Sequence, residues 1–216
     1  MGAESTGQTG GGTGRRGRRA ATSRHELEKL AFELFERRGF DATTVDDIAA
    51  AAGIGRRTFF RYFESKNDLV WGSFTDHLER MREQFALCSA DPPVLDAVRT
   101  VVVEFNRFDP QEVPWHRRRM ELILGVPTLQ GNATLRYTQW RVVVAEFVAA
   151  RLEVEPDSLT PHVIAHAALG VALAAYAQWL ADPGRELTEV IDEAFATLIR
   201  EGARADAAGR HRVANR

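Results

Sequence analysis

Arg56, Arg57 and Arg61 stand among Phe59, Phe60, Tyr62 and Phe63 in the stretch GIGRRTFFRYFESKNDL, Gly53 to Leu69. At about 100° per residue, Phe59 and Phe63 share one face of a helix, while Arg57 and Arg61 fall together on the opposite one. Thr58 and Tyr62 flank those arginines, and Arg56 and Phe60 lie at the edge of the same face. Like charges four residues apart repel by roughly a few tenths of a kcal/mol, and no acid of the segment sits between them. Such a pair suits an anion arriving from outside. A guanidinium neutralises a phosphate, or grips a guanine edge through two parallel hydrogen bonds. Ordinary amphipathic helices also mix solvated arginines with core aromatics, so context has to decide between the two readings.

Other candidate chemistry is thinner. His162 and His166 are four apart, a metal-ligand spacing, but no third ligand suggests itself, so no metal or cofactor is expected. Cys88 is the only cysteine; it excludes an internal disulfide, has no nucleophile signature and fits a reducing cytoplasm. GGGTG near the start follows no strand and is no phosphate-cradling loop. The chain does not read as an enzyme.

The elements that must position the arginines are helices, and the expected class is all-α. Almost every segment from Ser23 onward has helical period, and none sustains strand alternation. Ser23 starts a first helix with Leu27, Leu30, Ala31, Leu34 and Phe35 along one stripe, ended by Gly39. Thr44 caps a second, with Asp47 three residues on; it stops at Gly53. The arginine helix, about Arg56 to Phe63, is third. Three short helices with Gly-Ile-Gly between the second and third make a helix-turn-helix, whose last helix enters the DNA major groove. In that context Arg57, Arg61 and Thr58 reach bases or phosphates and Tyr62 reaches the backbone. Lys66 suits a phosphate, as do Thr43 and Thr44 at a helix N-terminus.

Ser65 is expected to cap a longer fourth helix with Trp71, Phe74, Leu78, Met81 and Phe85 as its stripe. Five further helices bring the expected number to nine. The resulting organisation is a basic arm without a core (1–22), a helix-turn-helix unit (23–68), a second helical unit (69–201) and a loose tail (202–216). Charge follows the same division. Gly14 to Lys66 holds 12 Lys/Arg against 8 Asp/Glu, and the remainder of the chain is acidic, which gives an overall net charge of -2. Arg15, Arg16, Arg18 and Arg19 in the arm suit either free solvation or the minor groove. The apolar run Val163 to Ala181 is about long enough for a bilayer, but His166, Gln178 and its many alanines favour a buried helix; no membrane is expected.

TTVDDIAAAAGIGRRTFFRYFESKNDLV resembles the N-terminal domain of the TetR family of bacterial regulators. GIGRRTFFRYFESKNDL with WGSF, and ELILGVP…LRYTQW…HAALGVALAAYAQWL, resemble the mycofactocin-system regulators within it. The resemblance implies a homodimer on a palindromic operator, usually repressing until a small molecule binds the second domain. It places the DNA contacts on Thr44, Arg56, Arg57, Thr58, Phe60, Arg61, Tyr62 and Lys66. Two positions depart from the pattern: Gly55 stands where a capping Ser or Thr is usual, and Phe60 where a Tyr often meets phosphate.

The last two helices are the expected dimer surface, packed as a four-helix bundle across a two-fold axis. Trp71, Phe74, Leu78, Met81, Phe105, Trp115, Met120, Tyr137, Trp140 and Phe147 line either a plain core or an elongated apolar pocket. Arg117 and Arg119, in the run HRRR, suit the anionic head of an amphiphile such as a long-chain acyl-CoA, the ligand class that the resembling subfamily implies. A solvated basic face remains the alternative for that run. Outside DNA-linked function, the sequence also fits an all-helical protein-interaction module or a lipid or acyl carrier.

Overall fold

The computed structural model describes residues 23–214, with side chains through residue 204; the arginines of the N-terminal arm lie outside that range. Among the described residues every regular element is an α-helix, and there are ten rather than nine. They divide into two compact units at Ser65/Lys66.

The first unit holds α1 (Arg24–Arg38), α2 (Val45–Ala52) and α3 (Arg56–Tyr62). Each start follows from a local hydrogen-bond demand. Ser23 and Glu26 form a reciprocal capping box on α1, and Thr44 and Asp47 do the same on α2. Gly53 ends α2 at φ 68°, a left-handed conformation in which its own N–H and that of Ile54 satisfy the last carbonyls. The core of the unit is Leu27, Ala31, Phe32, Phe35, Phe40, Ile48, Ala52, Phe59 and Phe63, all nearly inaccessible. Leu30, expected in the α1 stripe, is only half-buried, and Phe32 is buried in addition.

The second unit holds α4 (Lys66–Trp71), α5 (Phe74–Ala86), α6 (Val94–Phe105), α7 (Val113–Gly125), α8 (Pro127–Leu152), α9 (Leu159–Ala181) and α10 (Leu187–Ala214). Helix α9 packs along both α8 and α10, α10 also meets α6, and α5 lies against α6 and α8.

Two expectations are corrected here. The long fourth helix is two helices, broken at Gly72, whose φ is 59°. A Cβ there would collide with Nη1 of Arg119, and that guanidinium donates to the carbonyl oxygen of Val70 at 2.8 Å. The side chain from α7 thus takes over a carbonyl at the end of α4, and only glycine leaves it room. The tail expected to be loose from residue 202 instead continues α10 to Ala214. A glycine costs a helix only about 1 kcal/mol, and the alanines and arginines around Gly202 and Gly209 are good helix formers with no proline among them.

Candidate nucleic-acid interface

Helix α3 is seven residues long, with Gly55 as its N-cap and no side-chain cap hydrogen bond. Burial of Phe59 and Phe63 on its inner face fixes it, the two rings meeting at 5.7 Å. The guanidinium of Arg24 on α1 closes over Phe63 at 4.5 Å. With those aromatics inward, Arg56, Arg57, Phe60 and Arg61 are exposed, and Thr58 and Tyr62 are half-buried.

The three arginines are not equivalent. Arg56 Nη1 lies 2.8 Å from Oδ2 of Asp46 on α2, and its guanidinium sits 5.5 Å from the Phe60 ring centroid. Arg61 rests 5.4 Å from the ring of Tyr62. Arg57 has no partner among the described residues and projects into solvent. The acid missing from the arginine segment is therefore supplied by the preceding helix, to one arginine of the three.

Thr44 is exposed at the start of α2. Its hydroxyl donates to Asp47 Oδ2 at 2.6 Å and accepts from the Asp47 amide at 3.1 Å. The Thr44 hydroxyl and amide, with Arg38 at 3.1 Å, hold the Asp47 carboxyl below the ordinary carboxylate range. Thr43 is a correction. It is fully buried, and its hydroxyl donates to the Gly39 carbonyl at 2.8 Å, so it has no part in the outer face. Its role is to close the turn after α1, which is why two adjacent threonines have opposite fates. Lys66 is the first residue of α4, in the second unit, and is half-buried.

In the second unit the twelve residues expected around a ligand are dispersed. Trp71, Leu78, Met81, Met120 and Trp140 are buried, and Phe74, Phe105, Trp115 and Tyr137 are half-buried. Trp71 stands edge-on to Phe74 and Tyr137 at 5.3 and 6.0 Å. Its indole N–H is buried without a hydrogen-bond partner. Phe147 lies elsewhere, stacked on Phe85 at 4.2 Å in an open groove of about 370 Å³ between α5 and α8. Arg82 and Arg151 border that groove, Arg82 paired with Glu146 at 3.2 Å and Arg151 donating to the carbonyls of Ser89 and Pro92.

The HRRR run on α7 forms no anion-seeking cluster. Arg117 donates to the carbonyl of Trp179 at 2.8 Å and lies 4.0 Å over its ring, so it serves the end of α9. Arg119 serves the end of α4, as described above. His116 is half-buried and stacks on Phe108 at 3.8 Å. Its Nε2 is 2.8 Å from the Tyr176 hydroxyl, which donates to Asn106 Oδ1 at 2.6 Å; the Asn106 amide donates to Val102 O. Because the tyrosine proton goes to Asn106, the histidine Nε2–H is the donor to Tyr176. Burial, then Arg119 and His77, push the His116 pKa down to about 3, and burial pushes that of Tyr176 up. Sequence reasoning missed this chain because its members lie 60 and 70 positions apart. Among the described residues no three His, Cys, Asp or Glu side chains gather as a metal site.

Helix α9 is apolar enough to cross a membrane by length and composition, yet only 33% of its most apolar window is buried within the subunit. Leu159, Val163, His166, Gly170, Ala174 and Ala177 form an exposed stripe at spacings of three and four residues.

Comparison with known proteins agrees with this geometry. Residues 29–70 match the model of bacterial regulatory proteins of the tetR family, and residues 92–202 match the MftR C-terminal domain. The chain is 43% identical over 179 residues to a mycofactocin biosynthesis transcriptional regulator, MftR, of Mycobacterium tuberculosis, covering 83% of this chain and 90% of that one. It is 28% identical to the regulator TcmR of Streptomyces glaucescens over 90% of this chain and 89% of the other. Among solved structures, FadR of Bacillus subtilis in complex with stearoyl-CoA superposes with a TM-score of 0.57 at 14% identity, over 82% of this chain and 97% of that one. FadR of Thermus thermophilus in complex with lauroyl-CoA gives 0.53 at 22%, over 82% and 93%. At those identities the two structures attest the fold. The family matches and the MftR relative attest more: the chain belongs to the TetR family and is a DNA-binding transcriptional regulator with a C-terminal domain of the MftR type.

Proposed function

We propose that this regulator is a repressor that binds a palindromic operator as a homodimer in the cytoplasm and leaves it when an amphipathic small molecule binds the second unit. The observation behind the DNA side is Arg57, exposed and without a protein partner on the face of α3 opposite the buried Phe59 and Phe63. Arg56, Arg61, Thr58, Tyr62 and Thr44 complete the contact set, Lys66 adds a phosphate contact, and Phe60 contributes an apolar edge. The arginine-rich arm before Ser23 would follow the minor groove.

The dimer reading rests on the exposed stripe of α9. Its small residues allow a second helix to approach closely, and isologous pairing matches a two-fold operator. Gly170→Arg should convert the dimer to monomer in sedimentation and abolish tight operator binding, with the helical spectrum unchanged.

For the effector, a long-chain acyl-CoA is the first candidate. Trp71, Met81, Met120 and Tyr137 supply apolar surface, and the unpartnered indole N–H of Trp71 would take a carbonyl oxygen. The two structural neighbours solved with acyl-CoA support the class. Arg117 and Arg119 are committed to helix ends, so they would not hold the head group. Coupling would run through α4, which two arginines hold within its own unit: Arg119 on Val70 O and Arg136 on Asp68, both at 2.8 Å. A ligand beside Trp71 would displace α4, and with it the spacing of about 34 Å that two recognition helices need.

A mobility-shift assay on the DNA upstream of the protein's own gene, with and without a long-chain acyl-CoA, tests the proposal. Binding should weaken steeply with salt and be relieved by the ligand. Ligand binding with unchanged operator affinity would refute the coupling.

A further inference from the structure

Asp46 presents a paradox on this face. It stands at the second position of α2, 64% exposed, beside arginines that must approach a polyanion. A carboxylate there weakens binding to any duplex, whatever its sequence. Its ion pair with Arg56 does not explain its presence through fold stability, because pairs this exposed contribute little. Nor is it required as the helix cap, since Asp47 already completes the capping box with Thr44.

The pair does accomplish something else. Arg56 is held on two sides, by Asp46 Oδ2 at 2.8 Å and by the half-exposed ring of Phe60 one turn later. An arginine that reads guanine must present two nitrogens in one plane to O6 and N7, and freezing the guanidinium beforehand reduces the ordering needed on binding. With Nη1 bonded to Asp46, Nε and Nη2 remain for the base edge. Arg57, unrestrained, is free to follow a phosphate.

We infer that Asp46 is a specificity-determining residue: it orients Arg56, backed by Phe60, to read a guanine in the operator, and its charge penalises binding elsewhere. This rests on the operator-binding reading above. Asp46 is a positioning residue here, acting through Arg56.

The signature is a pair of effects with opposite sign. Using the full-length protein at one salt concentration, affinities are measured for the upstream-gene duplex and for a scrambled duplex of equal length. Asp46→Asn should bind the scrambled duplex about twofold more tightly, because one repulsive charge is gone. It should bind the upstream duplex more weakly, so that the ratio of the two falls about tenfold, in line with the loss of one bidentate base contact. Arg56→Ala should lower the ratio equally, and adding Asp46→Asn to it should change the ratio no further. Arg57→Ala should weaken both duplexes by a similar factor.

If Asp46→Asn shifts both duplexes by the same factor, the carboxylate is only a general repulsion and the inference is overturned. It is overturned as well if Asp46→Asn lowers the ratio equally in the presence and absence of Arg56. If instead the wild type shows no preference for the upstream duplex, the operator reading itself fails, a distinct outcome. Should Asp46→Asn lower the melting temperature, Asp46→Ser, a small polar residue tolerated in the first turn of α2, provides the same comparison.

Discussion

Two arginine-rich runs in this chain look alike on paper and have opposite fates. Arg57 and Arg61 on α3 face solvent, while Arg117 and Arg119 on α7 turn inward and donate to the last carbonyls of α9 and α4. The difference lies in what each backbone places opposite. On α3 the inner face is already filled by Phe59 and Phe63, so the arginines have only the outside. On α7 the inner face meets the C-terminal ends of two other helices, whose unpaired carbonyls and negative dipole ends are natural guanidinium acceptors. A cationic run therefore reveals an external anion only where no helix end within the protein competes for it.

The sharpest way to break the comparison is at Gly72, the residue that gives Arg119 its place. A β-branched side chain at φ 59° is strained, and its Cβ would displace Nη1 of Arg119 from the Val70 carbonyl. Left-handed strain and a lost part-buried hydrogen bond together put the expected destabilisation of Gly72→Val at about 3 kcal/mol. Urea denaturation of the full chain measures it. A loss no larger than the roughly 1–2 kcal/mol of left-handed strain alone would mean that the guanidinium finds another acceptor at no cost.

Next in size is the matched pair Arg119→Met and Arg57→Met. The first should remove about 1–3 kcal/mol of stability by orphaning a carbonyl. The second should leave stability within about 0.5 kcal/mol and weaken upstream-DNA binding by at least about tenfold, less so at high salt. Equal stability losses in the two variants would erase the distinction between the runs.

His116 sharpens the comparison by titration. It belongs to the same run as Arg117 and Arg119, but is kept neutral by burial, with its folded-state pKa at about 3 against an ordinary value of 6.5. A depressed histidine pKa means that the unfolded chain takes up a proton first as pH falls. The stabilisation is complete above about pH 6.5 and is lost as pH drops from there toward 3, at up to about 1.4 kcal/mol per pH unit. Unfolding free energies at pH 7.5 and 5.5 should differ by about 1 kcal/mol in the wild type. That difference should shrink in His116→Gln, which keeps a side-chain donor for Tyr176.

The same contrast explains what the sequence made legible. The first unit was readable because its signals are local: Ser23 with Glu26, Thr44 with Asp47, and Gly53 each act within three or four residues. The outward placement of Arg56, Arg57 and Arg61 follows from helical period alone. Thr43 was not separable from Thr44, because which of two neighbouring hydroxyls turns inward depends on the carbonyl of Gly39 four residues back. The break at Gly72 was hidden because Trp71, Phe74 and Leu78 keep helical spacing across it, and all three are at least half-buried. The destinations of Arg117 and Arg119 were out of reach for a simple reason: their acceptors lie 62 and 49 positions away.

The smallest expected effect tests the local end of this scale. Helix α2 begins with a reciprocal cap, whereas α3, the proposed recognition helix, begins at Gly55 with none. The backbone there has φ -81° and ψ 153°, values any residue adopts, and a Cβ would meet nothing within 4 Å. Gly55→Ser can therefore place a hydroxyl oxygen against the free amides of the first turn without strain. Serine exceeds glycine as an N-cap by only a few tenths of a kcal/mol, so a gain of about 0.3 kcal/mol is expected in urea denaturation. If stability rises while affinity for the upstream duplex falls, the amides that serine occupies are ones the DNA uses, and the missing cap is part of the interface. If both rise together, the cap is simply absent, and the outward arginines of α3 owe their placement to Phe59 and Phe63 alone.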